Sequence, residues 1–472
     1  MMKLPCREAP PFREESFIID NGSLLIYMKI LQVSHGLPPK EMAGVELYTF
    51  YLSKALVHQK HQVHVFCREE DPGKEEFSSR QEEMDGLRVT RVVNNLTRID
   101  GPRIYYENHF FDQTFSKTLE QEKPDLVHFQ HFIALSAHLV RIAREEGYPV
   151  AMTLHDFFTL CHRIHLLKKD NRLCQGPLYG LECVSCLDME PTPRDLRTNF
   201  FLRGKDFLPF SFIKWTKRFF IPPKYIGREG YEVFHRYRYM YELFKIPEVL
   251  LTPSVFVRDQ FLRYYPSFRS KTKVFPLGIF PIEGRRSPLP GNGRIRFCYF
   301  GNILPIKGVH LLIDAFKTLP TGKAHLTIYG SRNPWTETYY DQLKESANGF
   351  SIDFRGFFKR ESLADALSDQ DVVILPSICH ESFSFVIREA NDMGLPVIAS
   401  KMGAIPETVK EGANGFLFKP GNRDDLKRCM LRFIEQPGLA EEMSSRMPKV
   451  KTMEEHAVEL LNLYEAIIRK GG

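Results

Sequence analysis

No stretch of this chain comes near the roughly 20 consecutive apolar residues that a membrane-spanning helix needs, so no segment reads as a bilayer span. The first residues, "MMKLPCREAPPFREESFIIDNGSLLIY", lack a signal-peptide core, because acids and prolines interrupt every apolar run. Residues 1–27 are therefore expected to be a disordered extension or the product of a start codon set too early, with Met28 opening the cleaner start "MKILQVS". Internal repeats and low-complexity tracts are absent as well, which sets aside repeat architectures. A cytoplasmic protein is expected, and in that reducing compartment the nine cysteines are not expected to build a disulfide framework.

What is present is a chain of 472 residues, 43% hydrophobic and 26% charged, a balance typical of globular proteins and too long for one ordinary core. Two or three domains are expected. The formal net charge of +6 is unevenly spread: residues 191–245 hold twelve Lys/Arg against five Asp/Glu, enough to supply the whole excess. Aromatics crowd the same segment, as in "NFFLRGKDFLPFSFIKWTKRFFIPPKYIG". It reads either as a helical insertion with its aromatics packed inward or as a surface that sits on anionic lipid at the inner face of a membrane. Nucleic acid is not expected, since no recognition motif accompanies the charge.

Short β-rich runs alternate with amphipathic stretches. "MKILQVS", "HQVHVFC", "LRVTRVV", "DLVHFQH", "YPVAMTLHD" and "EVLLTPS" occupy the first half; "RIRFCYFGN", "AHLTIYG", "SIDFRGF", "DVVILPS" and "LPVIAS" repeat the plan in the second. Strands spaced by helices such as "GVELYTFYLSKALV" and "SAHLVRIAREEG" predict two parallel α/β sheets of right-handed crossover units. A Pro/Gly-rich break at about 278–293 separates them, giving domains at 28–278 and 279–450. The tail "MEEHAVELLNLYEAIIRK" predicts one amphipathic helix within 451–472.

Ligands of open α/β sheets bind at the carboxyl ends of the strands. "DVVILPS" ends near Ser377, a loop follows from Ile378 to Phe383, and a helix is expected from about Ser384. Its first amides lack intrahelical partners and carry the positive end of the helix dipole, a site suited to a phosphate or diphosphate. Glu381 lies just outside that mouth; Glu389, about one and a half turns in, leans back toward it. Two carboxylates beside an anion site suit hydroxyls on either side of a diphosphate, as in a nucleotide-sugar.

The surrounding pattern, "PS…HESFSFVIREANDMGLPVIAS…GAIPETV…GANGFLF", resembles the donor-binding half of retaining glycosyltransferases of family 4, which have the two-domain GT-B fold. The family's Glu, seven residues, Glu motif matches Glu381 and Glu389. "YFGNILPIKGVHLLIDAF" is similar to its Gly-rich turn with a phosphate-binding lysine, Lys307, and "GVELYTFYLSKAL" to its N-terminal turn and first helix, with Gly44 at the tight approach. The resemblance covers most of 28–470 and leaves out the basic insertion. It implies two Rossmann-like domains with a cleft between them and a C-terminal crossover helix. Residue by residue, it implies that Glu381 holds hydroxyls of the transferred sugar and Glu389 those of the ribose, while Lys307 and the backbone at Phe383, Ser384 and Phe385 meet the diphosphate. Gly356 and Phe357 would seat the base, and His155, in "TLHDFF", would face the reacting sugar. Two positions depart from the family: Asn302 stands where it usually has Arg, and Ser384 where it usually has Gly.

The function so implied is a retaining glycosyltransferase moving a sugar from a nucleotide-diphosphate-sugar to a glycan or lipid-linked acceptor in bacterial-type surface polysaccharide synthesis. No catalytic metal is expected: no Asp-x-Asp motif adjoins a strand end in the donor half, and helix amides with Lys307 would stabilise the leaving diphosphate. A GT-B nucleotide-sugar epimerase and a non-catalytic nucleotide-sugar-binding protein are the alternatives; the joint presence of His155, Lys307, Glu381 and Glu389 argues against decay. Four cysteines, Cys161, Cys174, Cys183 and Cys186, fall in one loop at 161–186 and end in C-x2-C, the pattern of a structural zinc. Cys6, Cys67, Cys298, Cys379 and Cys429 read as packing residues. His128 and His131, at the end of "VHFQH", either line the acceptor site or stand exposed.

Overall fold

The computed structural model describes residues 17–20, 23–97, 102–174, 176, 183, 186, 228–282, 293–332 and 336–471. The chain divides into two compact units: residues 1–252, 260–273 and 460–472 form unit 1, and residues 253–259 and 274–459 form unit 2. Most of the basic aromatic segment, including Lys214, Trp215, Lys217, Arg218 and Lys224, lies outside the described residues.

The first described element is an antiparallel hairpin of β1 (Phe17–Asp20) and β2 (Ser23–Ile26), in a stretch expected to be disordered. Its two apolar runs flank an Asn-Gly pair, the strongest short-range hairpin signal. Unit 1 then builds β3 (Lys29–Ser34), β4 (Gln62–Glu69), β5 (Ser79–Met84), β6 (Leu87–Val93), β7 (Leu126–Phe129), β8 (Val150–Thr153), β9 (Val249–Thr252) and β10 (Thr272–Val274). Their order is β10-β9-β8-β7-β3-β4-β6-β5. Neighbours from β9 to β6 pair in parallel, while the edge strand β5 is antiparallel to β6. The central strands are buried on both faces, so they read as near-continuous apolar runs. Helices α1 (Gly44–His58), α2 (Asp112–Glu122), α3 (His138–Glu145), α4 (Arg228–Leu243) and α5 (Val255–Tyr264) follow in chain order.

Unit 2 is fully parallel. Strands β11 (Ile295–Phe300), β12 (Ala324–Tyr329), β13 (Ile352–Gly356), β14 (Val372–Leu375), β15 (Val397–Ser400) and β16 (Gly415–Phe418) take the order β13-β12-β11-β14-β15-β16. Alternation divides each strand between two cores. Phe297, Tyr299, Leu326, Ile328 and Ile374 pack with α6 (Val309–Phe316) and, beyond α7 (Glu337–Ala347), with residues that follow β16. Cys298, Phe300, Val373, Leu375 and Ala399 pack with α8 (Leu363–Leu367), α9 (Phe385–Asp392) and α10 (Ile405–Thr408). After α11 (Arg423–Glu435) and α12 (Leu439–Ser444), the tail forms the single helix α13 (Met453–Gly471). Its residues to Glu459 belong to unit 2 and those from Leu460 to unit 1.

In both sheets the winding reverses beside a central strand. Unit 1 turns at β3 and β7, unit 2 at β11 and β14. The loops after those strands are where a doubly wound sheet binds its ligand.

Candidate active site

In unit 2, β11 runs into a turn at Gly301–Asn302 and a short helical turn over Pro305–Lys307, and β14 runs into the loop that carries Glu381. Two glycines let the loops approach. Gly308 has φ 73°, and a Cβ there would stand 2.1 Å from the Pro376 carbonyl oxygen; a Cβ on Gly403, φ 58°, would meet the Glu381 backbone at 2.4 Å. Within this frame Lys307 Nζ donates to Glu381 Oε1 at 2.7 Å, and Ser377 Oγ donates to the same oxygen at 2.6 Å. Burial would lower the Lys307 ammonium pKa, but the Glu381 carboxylate outweighs it and holds the pKa above its ordinary value. The two residues assigned to phosphate and sugar are thus brought together as an ion pair.

Helix α9 starts at Phe385, one residue past the expected start, and its cap, Ser384, has φ 57° and ψ 86°. This is the left-handed region, which glycine enters freely and an L-residue enters at a cost of about 1–2 kcal/mol, and it explains why a glycine is usual there in the family that the motif resembles. The turn is held from several sides. Arg388 donates to the Phe383 and Ser384 carbonyls and lies over the Phe383 ring, 3.5 Å from its centroid. Burial lowers the Arg388 pKa to about 10. Ser254 Oγ donates to the Ser382 carbonyl at 2.7 Å.

Glu389 is buried, and Arg360 Nη1 stands 2.8 Å from its Oε1. Burial raises the Glu389 carboxyl, and Arg360 offsets part of that rise. The Arg360 guanidinium lies over the Phe280 ring, 4.5 Å from its centroid, and Phe280 stacks on Phe385 at 4.4 Å. Arg360 follows the turn at Gly356, φ 72°, where Phe357 is 66% exposed, a free aromatic face beside the β13 end. Asn302 is exposed, and its carbonyl accepts from Tyr299 Oη at 2.7 Å.

In unit 1 the loops after β3, β7 and β8 bring together His35, Gln130, His131, His155 and Asp156, with Glu46 from α1. His155 Nε2 lies 2.8 Å from Gln130 Oε1, whose own amide nitrogen donates to Gln32 Oε1 at 2.8 Å. That chain makes Nε2 the protonated nitrogen of His155 and leaves Nδ1 as the acceptor. Burial, then the nearby His131, holds the His155 pKa well below its ordinary value, so the ring is neutral at pH 7. His131 Nε2 lies 3.2 Å from Asp156 Oδ2, His35 Nε2 lies 3.0 Å from Glu46 Oε1, and the two imidazoles sit 4.4 Å apart. His128 and His131 are both buried rather than exposed. His128 bonds inward to Tyr464 and Thr153, so it belongs to the interior of unit 1, and only His131 reaches the strand-end cluster. Gly44 opens α1.

Sequence reasoning singled out Lys307, Glu381, Glu389 and His155; it did not single out Ser377, Arg360, Arg388, Asp156 or the His35–Glu46 pair, which the structure places beside them. Ser377 lies two residues past the end of β14 and Asp156 three past the end of β8, a signal that was readable. The pairing of Arg360 with Glu389 joins separate elements and no local pattern encodes it, whereas Arg388 bonds carbonyls only four and five residues back.

Residues 283–450 match the family described as glycosyl transferases group 1, and residues 42–176 match glycosyltransferase family 4. A lipopolysaccharide 1,2-N-acetylglucosaminetransferase of Salmonella typhimurium is 32% identical over 194 residues, 38% of this chain and 50% of that protein. The chain spans about half or less of the length of the curated relatives it matches. Among solved structures, sucrose-phosphate synthase from Thermosynechococcus elongatus aligns over 94% of this chain and 100% of its own, with TM-score 0.64 and 17% identity. Anabaena HepE in complex with UDP and glucose aligns over 93% of this chain and 100% of its own, with TM-score 0.60 and 16% identity. These likenesses establish the GT-B fold.

Proposed function

Because the chain is a group 1 glycosyltransferase of the family 4 type, we propose that it transfers a sugar from a nucleotide-diphosphate-sugar to a glycan or lipid-linked acceptor with retention of anomeric configuration. The observation that carries this reading is the Lys307–Glu381 pair beside the start of α9, at the strand switch of unit 2. A cation, a carboxylate and a helix N-terminus meet at one loop cluster, as a ligand with a diphosphate and a sugar requires. The occurrence of UDP with glucose in Anabaena HepE supports a nucleotide donor of this kind.

In the proposed reaction the bond from the anomeric carbon to the diphosphate oxygen breaks, and the acceptor hydroxyl bonds to the same face of that carbon. Its proton passes to the departing diphosphate. Lys307 and the first amides of α9 stabilise the charge that develops on the leaving group, in the manner of an oxyanion hole. Glu381 is taken up with sugar hydroxyls, which leaves the front-face route without a protein nucleophile as the preferred one. Glu389, oriented by Arg360, accepts from the ribose hydroxyls, and Phe357 offers its exposed ring to the base. Neutral His155, with Nδ1 free to accept, suits a sugar hydroxyl. A lipid-linked acceptor for surface polysaccharide synthesis, reached through the basic segment at 191–245, fits the charge distribution.

A donor screen tests the reading: nucleotide-sugars are offered with and without lipid-linked acceptors, and free nucleoside diphosphate is measured. Acceptor-dependent release together with an α-to-α product by NMR supports it. Release of diphosphate and an epimerised free sugar without any acceptor overturns it in favour of an epimerase, and tight donor binding without turnover favours a binding protein.

A further inference from the structure

His109, Asp112 and His138 take no part in the chemistry above, yet the fold of unit 1 gathers them. His109 and Asp112 fall three apart in "NHFFD", and the tight turn over His109–Phe111 sets positions three apart on one side. Asp112 opens α2 directly after that turn, and His138 opens α3. His109 Nδ1 lies 2.8 Å and His138 Nδ1 3.0 Å from the same oxygen, Asp112 Oδ2. The two rings meet edge to face, with 4.5 Å between centroids. Among the described residues these three are the group of His, Cys, Asp or Glu whose ligand atoms all lie within 4.8 Å of one another. No three of Cys161, Cys174, Cys183 and Cys186, the residues expected to hold zinc, are so placed among the described residues.

The backbone fixes the three side chains in advance. The Ala134 and Ala137 amides donate to the Tyr105 and Tyr106 carbonyls at 2.9 and 2.7 Å. The buried Ser136 Oγ accepts from the Asn108 amide at 3.1 Å and from the His138 amide at 3.2 Å, so one hydroxyl ties the residue before His109 to His138 itself. Asn108 Oδ1 caps the turn by accepting from the Phe110 amide at 3.1 Å. Ligands held this way lose little further freedom when something binds between them.

Asp112 supplies an independent observation. Its Oδ2 meets both imidazoles, while its Oδ1 is buried without a hydrogen-bond partner. A buried acceptor left unpaired is costly, and a cation held by both carboxylate oxygens would satisfy it. The spacing suits a small ion: nitrogen and oxygen ligands at about 2.0–2.2 Å around a tetrahedral Zn²⁺ stand roughly 3.4 Å apart. The two Nδ1–Oδ2 contacts need to part by only a few tenths of an ångström. The Asp112 and His138 side chains are 26% and 23% exposed and that of His109 60%, so such an ion would be anchored on its inner side and open to water on the other.

We infer that His109, Asp112 and His138 form a binding site for a divalent transition-metal ion of the zinc class, with water completing its shell. Each Nδ1 gives its lone pair to the ion, the proton it shared with Oδ2 leaves, and each ring keeps one proton, on Nε2. No oxidation state changes. The ion would clamp the start of α2 to the start of α3, and α3 follows β7, the strand that leads into Gln130 and His131. The site uses none of the residues of the proposed donor site, so it does not rest on that reading.

The test uses the untagged full chain, stripped with chelator and dialysed. Calorimetric titration with Zn²⁺ is expected to show a site that His109→Ala weakens at least tenfold, since loss of even a supporting residue around a metal typically costs about 10- to 100-fold in affinity. His109→Ala/His138→Ala should abolish it, and Cys183→Ser/Cys186→Ser should leave it unchanged. His109 is exposed, so its single variant should melt with the wild type in the absence of zinc. As a check that needs no variant, Co²⁺ added to the wild type should give ligand-field bands at this site without thiolate charge transfer. A wild type that binds neither ion overturns the proposal. So does Zn²⁺ binding that is equal in wild type and His109→Ala, binding that is lost with the cysteines alone, or a cobalt spectrum that shows only thiolate bands.

Discussion

Lys307 Nζ and Glu381 Oε1 stand 2.7 Å apart, so the cation assigned to the diphosphate is neutralised by the carboxylate assigned to the sugar. Ser377 Oγ, 2.6 Å from the same oxygen, holds the carboxylate from its other side. A bound donor must therefore share Lys307 with Glu381 or take it over. Glu381→Gln removes the competing charge but keeps the shape. A free nucleoside diphosphate should bind the variant at least as tightly as the wild type, while transfer falls by roughly 10- to 100-fold, the loss of a charged hydrogen bond of about 1.5–3 kcal/mol. Calorimetry and a turnover assay separate the two effects. Weaker diphosphate binding by Glu381→Gln would show that Glu381 supports the anion site rather than competing within it.

In the proposed reading, the Arg360–Glu389 pair sets the ribose side. Burial raises the Glu389 carboxyl and Arg360 works against that rise, so Arg360→Ala should raise it further. A folded-state value above the unfolded one favours the protonated form: the stability it contributes is fully present below the unfolded pKa and is lost as pH rises through the folded one. The stability deficit of Arg360→Ala should therefore widen from pH 4 toward pH 8. Donor affinity, which needs the carboxylate, should set in at higher pH in the variant than in the wild type. Glu389→Gln should weaken donor binding by about 1.5–3 kcal/mol at every pH above the carboxyl titration. Melting and calorimetric titrations across that range check both, and superimposable wild-type and Arg360→Ala profiles would break the link between the two side chains.

Ser384 offers a test of backbone strain. At φ 57° a glycine costs nothing sterically, and its extra freedom in the unfolded chain takes back about 0.5–1 kcal/mol. Ser384→Gly should change stability by no more than about 1 kcal/mol and keep donor affinity. Ser384→Ile, β-branched in the left-handed region, should cost at least about 1–2 kcal/mol and misplace the first amides of α9. Equal melting temperatures and donor affinities for the two variants would contradict the left-handed cap.

Asp156 gives a prediction for acid. Burial would raise its carboxyl, but His131 at 3.2 Å and the Phe158 amide at 2.8 Å outweigh burial and hold it down to about 2. An ordinary aspartate titrates near about 3.9, so the difference is on the order of 2 kcal/mol. A depressed value contributes stability that is present above the unfolded pKa and is lost as pH falls through the folded one. The stability gap between wild type and Asp156→Asn should thus be full above about pH 4 and close between about pH 4 and pH 2. Chemical denaturation followed at several pH values measures it; a gap that stays constant would mean that Asp156 is not held as the carboxylate by His131.

These residues also show what could be read from the sequence. The parallel strands were legible because burial on both faces makes them continuous apolar runs: "DVVILPS" and "RIRFCYFGN" contain β14 and β11. β5 was not, because "SRQEEM" is an exposed edge strand whose charges discourage further pairing and erase the apolar signal. The hairpin at β1 and β2 carried its Asn-Gly signal openly, but the acids and prolines ahead of it drew the reading toward disorder. Glu381 and Lys307 were legible as a motif, whereas the pairing of Arg360 with Glu389 joins residues on different elements and exists only once the sheet is formed. His128 misled because its place at a strand end says nothing of which way the ring turns, and Tyr464, 336 residues away, decides that.

The basic segment raises a question of location. Lys214, Lys217, Arg218 and Lys224 surround Trp215, Phe219 and Phe220 in the sequence, so that charges flank an apolar stretch. At an anionic membrane each such base gains about 1 kcal/mol, and salt screens the attraction over roughly 8–10 Å. The full-length protein should therefore co-sediment with vesicles containing phosphatidylglycerol at low salt and leave them as salt rises. Four bases together amount to about 4 kcal/mol, or close to a thousandfold in partition, so replacing all four by Ser should abolish sedimentation. Release of nucleoside diphosphate with a soluble acceptor should be unchanged, because the donor site proposed above draws on none of those four residues. If the wild type ignores such vesicles at low salt, the segment does not dock on lipid, and a soluble glycan becomes the acceptor to pursue.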